Sequence, residues 1–109
     1  MTNQDIFDKV AAHLLTQNAQ AREPISGHCA YRGANSMVCA VGCLIPDDKY
    51  YPEMEGKGPS DLHEVYGLFP DESIDLLNEL QMVHDHYDTH EWKDQLYAVA
   101  RKFDLHAKF

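Results

Sequence analysis

The stretch "THEWKDQLYAVARKFDL" places Trp92, Leu96, Val99, Ala100 and Phe103 at i, i+4, i+7, i+8 and i+11. That spacing draws one apolar stripe along a helix, and such a stripe must be covered by other elements. Two more segments carry the same period. In "TNQDIFDKVAAHLLTQNA" the stripe is Ile6, Phe7, Val10, Ala11, Leu14 and Leu15, which predicts a helix over residues 3–18. Thr2 and Asp5 precede it in the spacing of a capping box, with Asp in place of the usual Glu. In "DESIDLLNELQMVHDHY" the inner face runs through Ile74, Leu77, Leu80 or Gln81, and Val83 or His84, with Asp71 and Glu72 complementing the helix dipole. A short helix, "DLHEVYGLF" with Ser60 as its cap, is expected before it, and Asp88 with Glu91 opens the last one. Together these segments predict a mostly α (α+β) fold in a single domain, residues 1–109. It has three or four helices, and a core that includes Leu14, Leu44, Leu77, Trp92, Leu96 and Phe103.

Between the first helix and the helical remainder lies "HCAYRGANSMVCAVGCLIP". Cys29 to Arg32 reads as a short strand and Gly33 to Ser36 as a turn suited to positive φ, so a short β-hairpin is expected after the first helix. The run "VCAVGCLI" is too short for periodicity to separate strand from buried helix, and a hairpin leading into one helical turn fits it. Gly42 costs a helix about 1 kcal/mol unless a close neighbour needs the space. The connection "PDDKYYPEMEGKGPS" is long for a compact domain, a length that goes with function or flexibility. Its residues Tyr50, Tyr51 and Met54 suggest that it packs down.

All three cysteines fall in this region. If "VCAVGCLI" is helical, Cys39 and Cys43 share a face, and with His28 and Cys29 they make a tetrahedral zinc site conceivable. Against it, the C-x9-C-x3-C spacing matches no zinc-finger pattern, and no papain-like or caspase-like signature surrounds a thiol. Burial as small apolar groups is the competing reading. His84, His86 and His90 form a second cluster, read as an acid-flanked, exposed helix end. His84 and His86 project about 200° apart on a helix and do not share a metal there. A third candidate is "YRG". Arg32 beside a glycine turn, with Tyr31, Asn35 and the loop tyrosines Tyr50 and Tyr51, composes a pocket for a small anionic, nucleotide-like ligand. No phosphate loop, dinucleotide fingerprint or nucleophile elbow is present, and no cofactor is expected.

The net charge of −9 is concentrated. Residues 47–94 hold fourteen acids against Lys49, Lys57 and Lys93, a balance of −11, whereas the stretch up to Pro46 is neutral. Such a field opposes direct binding of nucleic acid or anionic membrane and permits a partner protein with a basic surface. A solvated, solubilising face is the plainer explanation of the same acids. No apolar run approaches the length of a membrane span, and the N-terminal residues lack the pattern of a signal peptide, so a cytoplasmic protein is expected. The odd cysteine count also argues against a disulfide framework.

The stretch "CAYRGANSMVCAVGCLIPDDKYYPEMEG" resembles a pattern in small proteins of tailed phages and some bacteria: C-x-Y-R-G, a turn, C-A-x-G-x-L-I-P-D, then Y-x-P-x-x-E-G. It covers about residues 29–56. The resemblance implies an origin rather than a mechanism and carries no catalytic residue. Three functions follow as expectations. The first is a non-enzymatic acidic accessory protein that binds a host protein. The second is an anionic-ligand module built on Arg32. The third is a metal or thiol protein built on Cys29, Cys39, Cys43 and His28.

Overall fold

In the computed structural model, which describes residues 2–22 and 30–109, the three amphipathic stripes meet in one core. Helix α1 spans Asn3–Gln17, α2 Pro59–Tyr66, α3 Ile74–His86 and α4 Trp92–Lys102. The long helices α1, α3 and α4 pack against one another, and α2 leans on α3. Their buried faces are Ile6, Phe7, Val10, Ala11 and Leu14 on α1, Leu76, Leu77, Leu80, Val83 and His84 on α3, and Trp92, Leu96, Val99 and Ala100 on α4. Of the six expected core residues, Leu14, Leu77, Trp92 and Leu96 are fully buried, while Leu44 and Phe103 are partly buried against the core. The radius of gyration is 13.0 Å, the value of about 13 Å expected for a compact domain of this length.

Local chemistry sets the helix ends. Thr2 Oγ1 accepts from the Asp5 N–H while the Asp5 carboxylate accepts from the Thr2 N–H, so the capping box forms with Asp in the return position. Asp88 and Glu91 make the second box, at the turn of 3-10 helix that leads into α4. Helix α2 starts differently from expectation. Gly58 is the N-cap and Pro59 occupies the first turn, where its missing N–H costs nothing, so Ser60 is not the cap. The chain after α4 folds back over α1. Phe109 stacks on Phe7 at 6.1 Å and packs against Tyr97, and Lys108 pairs with Asp8.

The expected β-hairpin is not formed: the described residues contain no strand, and Arg32 and Val38 meet in an isolated antiparallel bridge. Its turn is present. Asn35 and Ser36 both adopt positive φ, at 58° and 62°, the combination of a tight hairpin turn. The ladder fails because its donors are used elsewhere. The Tyr31 and Arg32 N–H groups donate to the Glu55 carboxylate at 2.8 and 3.1 Å, and the Ala34 N–H donates to the Arg22 carbonyl. Past Val38 the chain turns helical, the Cys43 N–H donating to the Cys39 carbonyl at 3.1 Å, and single 3-10 turns follow through residue 54. Gly42 is required in that bend, since a Cβ there would lie 2.2 Å from the Tyr31 carbonyl oxygen.

Candidate functional site

The segment 30–58 wraps around one carboxylate. Besides the two backbone N–H groups, Glu55 accepts a hydrogen bond from the Tyr50 hydroxyl at 2.6 Å. Tyr50 lies under the Arg32 guanidinium, whose carbon is 4.3 Å from the ring centroid. Arg32 Nη2 reaches the Ile45 carbonyl at 3.2 Å and Asp47 Oδ1 at 2.8 Å. Arg32, Tyr50, Asp47 and Glu55 are therefore one interlocked unit. Burial, reinforced by the hydrogen bond to Glu55 and its charge, pushes the Tyr50 hydroxyl up to about 12. Tyr31 is buried, donates its hydroxyl to the Lys57 carbonyl, and is raised far above the usual phenol range by loss of solvent. Of the residues expected around an anion, Arg32 and Tyr50 are in contact. Asn35 is exposed on the turn, Tyr31 is internal, and Tyr51 faces another surface, stacked 5.9 Å from Tyr66.

Helical backbone does bring Cys39 and Cys43 to neighbouring turns, but each thiol is engaged locally. Cys39 is fully buried, with Sγ accepting from the Gly42 N–H at 3.2 Å, and Cys43 Sγ donates to the Ala40 carbonyl at 3.1 Å. Burial lifts the Cys39 thiol far above its ordinary range and the Cys43 thiol to about 11, so both stay protonated at neutral pH. His28 and Cys29 lie outside the described residues. Among the described residues, the group with metal-ligand spacing is Asp88, His90 and Glu91, where Asp88 and Glu91 already serve as the capping box of the following helix.

The histidine cluster divides. His86 and His90 are exposed, but His84, read both as part of an exposed helix end and as an alternative to Val83 on the inner face, is completely buried. The reason is a set of partners distant in sequence. Its Nε2 accepts from the Ala21 N–H at 2.9 Å, its Nδ1 meets Asp85 Oδ1 at 2.7 Å, and its ring packs on Trp92. Acceptance at Nε2 assigns the proton to Nδ1, so the ring is held as one neutral tautomer. A His–Asp pair of this kind resembles a general base, yet the nitrogen that would take a proton is already filled by backbone. Gln81 extends the network, accepting from the Val41 N–H and donating to Asp85.

Two concave surfaces lie along the segment that carries Arg32, Asp47 and Tyr50. One is a cleft of about 660 Å³ between α1 and the 32–47 segment, lined by Lys9, His13, Arg32, Ser36, Cys43 and Asp47 among others. The other is a groove of about 520 Å³ formed by Leu44, Pro46, Tyr51, Val65, Tyr66 and Leu68, with Lys49 at its edge. Sequence reading missed Lys9, His13, Glu55, Val65 and Tyr66. Signals existed for some of them: Lys9 and His13 are four apart on one helix face, and Glu55 belongs to the Y-x-P-x-x-E-G pattern.

Compared with family models, curated proteins and solved structures, the chain has no match in any of the three. Fold and site together define the class: a small, mostly α domain whose irregular segment is gathered around a buried-edge carboxylate. No helix among the described residues is long and apolar enough to cross a membrane.

Proposed function

We propose that this chain is a non-enzymatic acidic interaction protein of the cytoplasm, and that it docks a basic, amphipathic segment of a partner protein. The observation that carries this reading is the character of the groove beside α2. Large apolar side chains exposed among the described residues are Tyr51 at 50%, Val65 at 64% and Met82 at 51%, and two of these three line that one groove. Acids surround it. Asp48, Glu53 and Glu64 stand within two residues of a lining position, and Asp61 is one turn before Val65 on α2. All four are exposed, and none has an ion-pair partner among the described residues. Lys49 and His63 are the basic side chains nearby, and His63 is paired with Asp71. An apolar floor inside an acidic rim fits the apolar face and basic flanks of an amphipathic helix.

The resemblance to phage small proteins adds the expectation that the chain is a phage-type accessory protein and the partner a host protein. Calorimetric titration with a designed Leu/Lys amphipathic peptide tests the docking. Saturable binding is expected, weakened about tenfold between about 0.05 and about 0.5 M salt as screening sets in, and lost in Tyr51→Ala. Equal binding by the wild type and Tyr51→Ala would remove the groove from the reading.

A further inference from the structure

The cleft between α1 and the 32–47 segment gathers basic side chains in an acidic protein. In a chain of net charge −9, its wall gathers Lys9 and His13 from α1 and Arg32 from the loop. Lys9 is exposed and has no ion-pair partner among the described residues. His13 Nε2 is fixed 2.8 Å from the Val38 carbonyl, which orients its ring along the wall. Arg32 is held from three sides by Tyr50, Ile45 and Asp47, and its Nε is buried with no hydrogen-bond acceptor among the described residues. The guanidinium is therefore preoriented for an anion that takes the place of Asp47 at Nη2.

Asp47 supplies the second observation. Its carboxylate sits 2.8 Å from Arg32 Nη2, yet its side chain is 96% exposed. It is an anion already placed at the cleft mouth, held by little besides this pair. Met37, Val38 and Ile45 give the same cleft apolar wall. The volume of about 660 Å³ lies in the range of about 300–1,000 Å³ for small-molecule sites and exceeds what an inorganic ion needs.

We propose that this cleft binds a small organic anion, a phosphate or carboxylate on an apolar body, with Lys9 and Arg32 as its charge partners and Asp47 as the occupant it displaces. The site uses none of the groove residues Tyr51, Val65 or Tyr66, so it stands or falls separately from the docking of a partner protein. Nor do the tyrosines line it, so an apolar body rather than a base stacked on aromatic rings fits the walls.

Amide NMR titration of the whole chain with phenyl phosphate, benzoate and inorganic phosphate is the test. Phenyl phosphate or benzoate should shift the Gly33, Ser36 and Cys43 amides saturably and more tightly than inorganic phosphate, and the better of the two names the head group. Lys9→Gln should weaken that binding about fivefold and Asp47→Asn should tighten it about fivefold, the scale of one exposed charge pair. Both positions are exposed, so the fold is not at risk. Absence of saturable shifts at these amides with all three probes, in the wild type and in Asp47→Asn, overturns the proposal. So does binding that neither substitution alters.

Discussion

Around His84 in α3 and around Glu55 in the loop before α2, backbone N–H groups without a helix or strand partner end on a side-chain acceptor. The settings differ. His84 is neutral, completely buried and seated on a helix, and it ties Ala21 to α3 while Gln81 beside it ties Val41. Glu55 is charged, half-buried and carried by a 3-10 turn, and its partners Tyr31, Arg32 and Tyr50 all belong to the irregular segment. Burial decides what each is worth. An orphaned N–H in the core has no water to turn to, whereas one beside a half-exposed carboxylate regains solvent when the carboxylate is removed.

The comparison predicts an order of effects. His84→Ala removes a buried ring packed on Trp92 and strands the Ala21 N–H, so urea unfolding should show a loss of about 3–4 kcal/mol. Gly42→Ala drives a Cβ into the Tyr31 carbonyl and so disrupts the segment that Glu55 gathers. A loss of about 2–3 kcal/mol is expected. Glu55→Ala should cost about 1–2 kcal/mol and broaden the amide signals of residues 30–36 while α1, α3 and α4 keep theirs. A Glu55→Ala loss as large as that of His84→Ala would break the distinction.

Alkali probes the same difference through ionisation. The unfolded thiols lose protons from about pH 9 and the unfolded tyrosines from about pH 10. Folded Cys39, Cys43, Tyr31 and Tyr50 hold theirs to higher pH, because burial disfavours the charged forms. Above about pH 9 the unfolded state therefore binds fewer protons than the native state, and stability falls as pH rises. For Cys43 the contribution is complete below 9.0 and is lost by about 11. Urea midpoints measured between about pH 8 and about pH 10.5 should decline, less steeply in Cys43→Ala. The smallest effect belongs to Asp47→Asn, whose exposed pair with Arg32 should contribute under about 1 kcal/mol.

The two regions also differ in how far the sequence announced them. The stripes of α1, α3 and α4 are local patterns, and their capping residues sit three positions apart, so helix type and buried faces were readable from spacing. The Glu55 contacts join residues 23 and 24 positions apart, and His84 meets Ala21 across 63. No short window contains such pairs. Thus Tyr31 and Arg32 belong to a stretch with the residues of a strand, and make no ladder because a distant carboxylate takes their N–H groups. His84 was readable both ways, since the apolar stripe admits it to the inner face while its neighbours Asp85 and His86 are polar. The cleft was half legible: Arg32 was singled out, while Lys9 and His13 lie off the apolar stripe of the first helix and carried no signal of their own.

Amide NMR shift mapping with the Leu/Lys amphipathic peptide tests most directly the claim that the acidic half of the chain carries a docking groove. The account predicts saturable shifts concentrated in residues 44–51 and 61–68, lost in Val65→Asp, with none from a Leu/Glu twin of the peptide. Shifts spread over all the exposed acids, and unchanged by Val65→Asp, would contradict it.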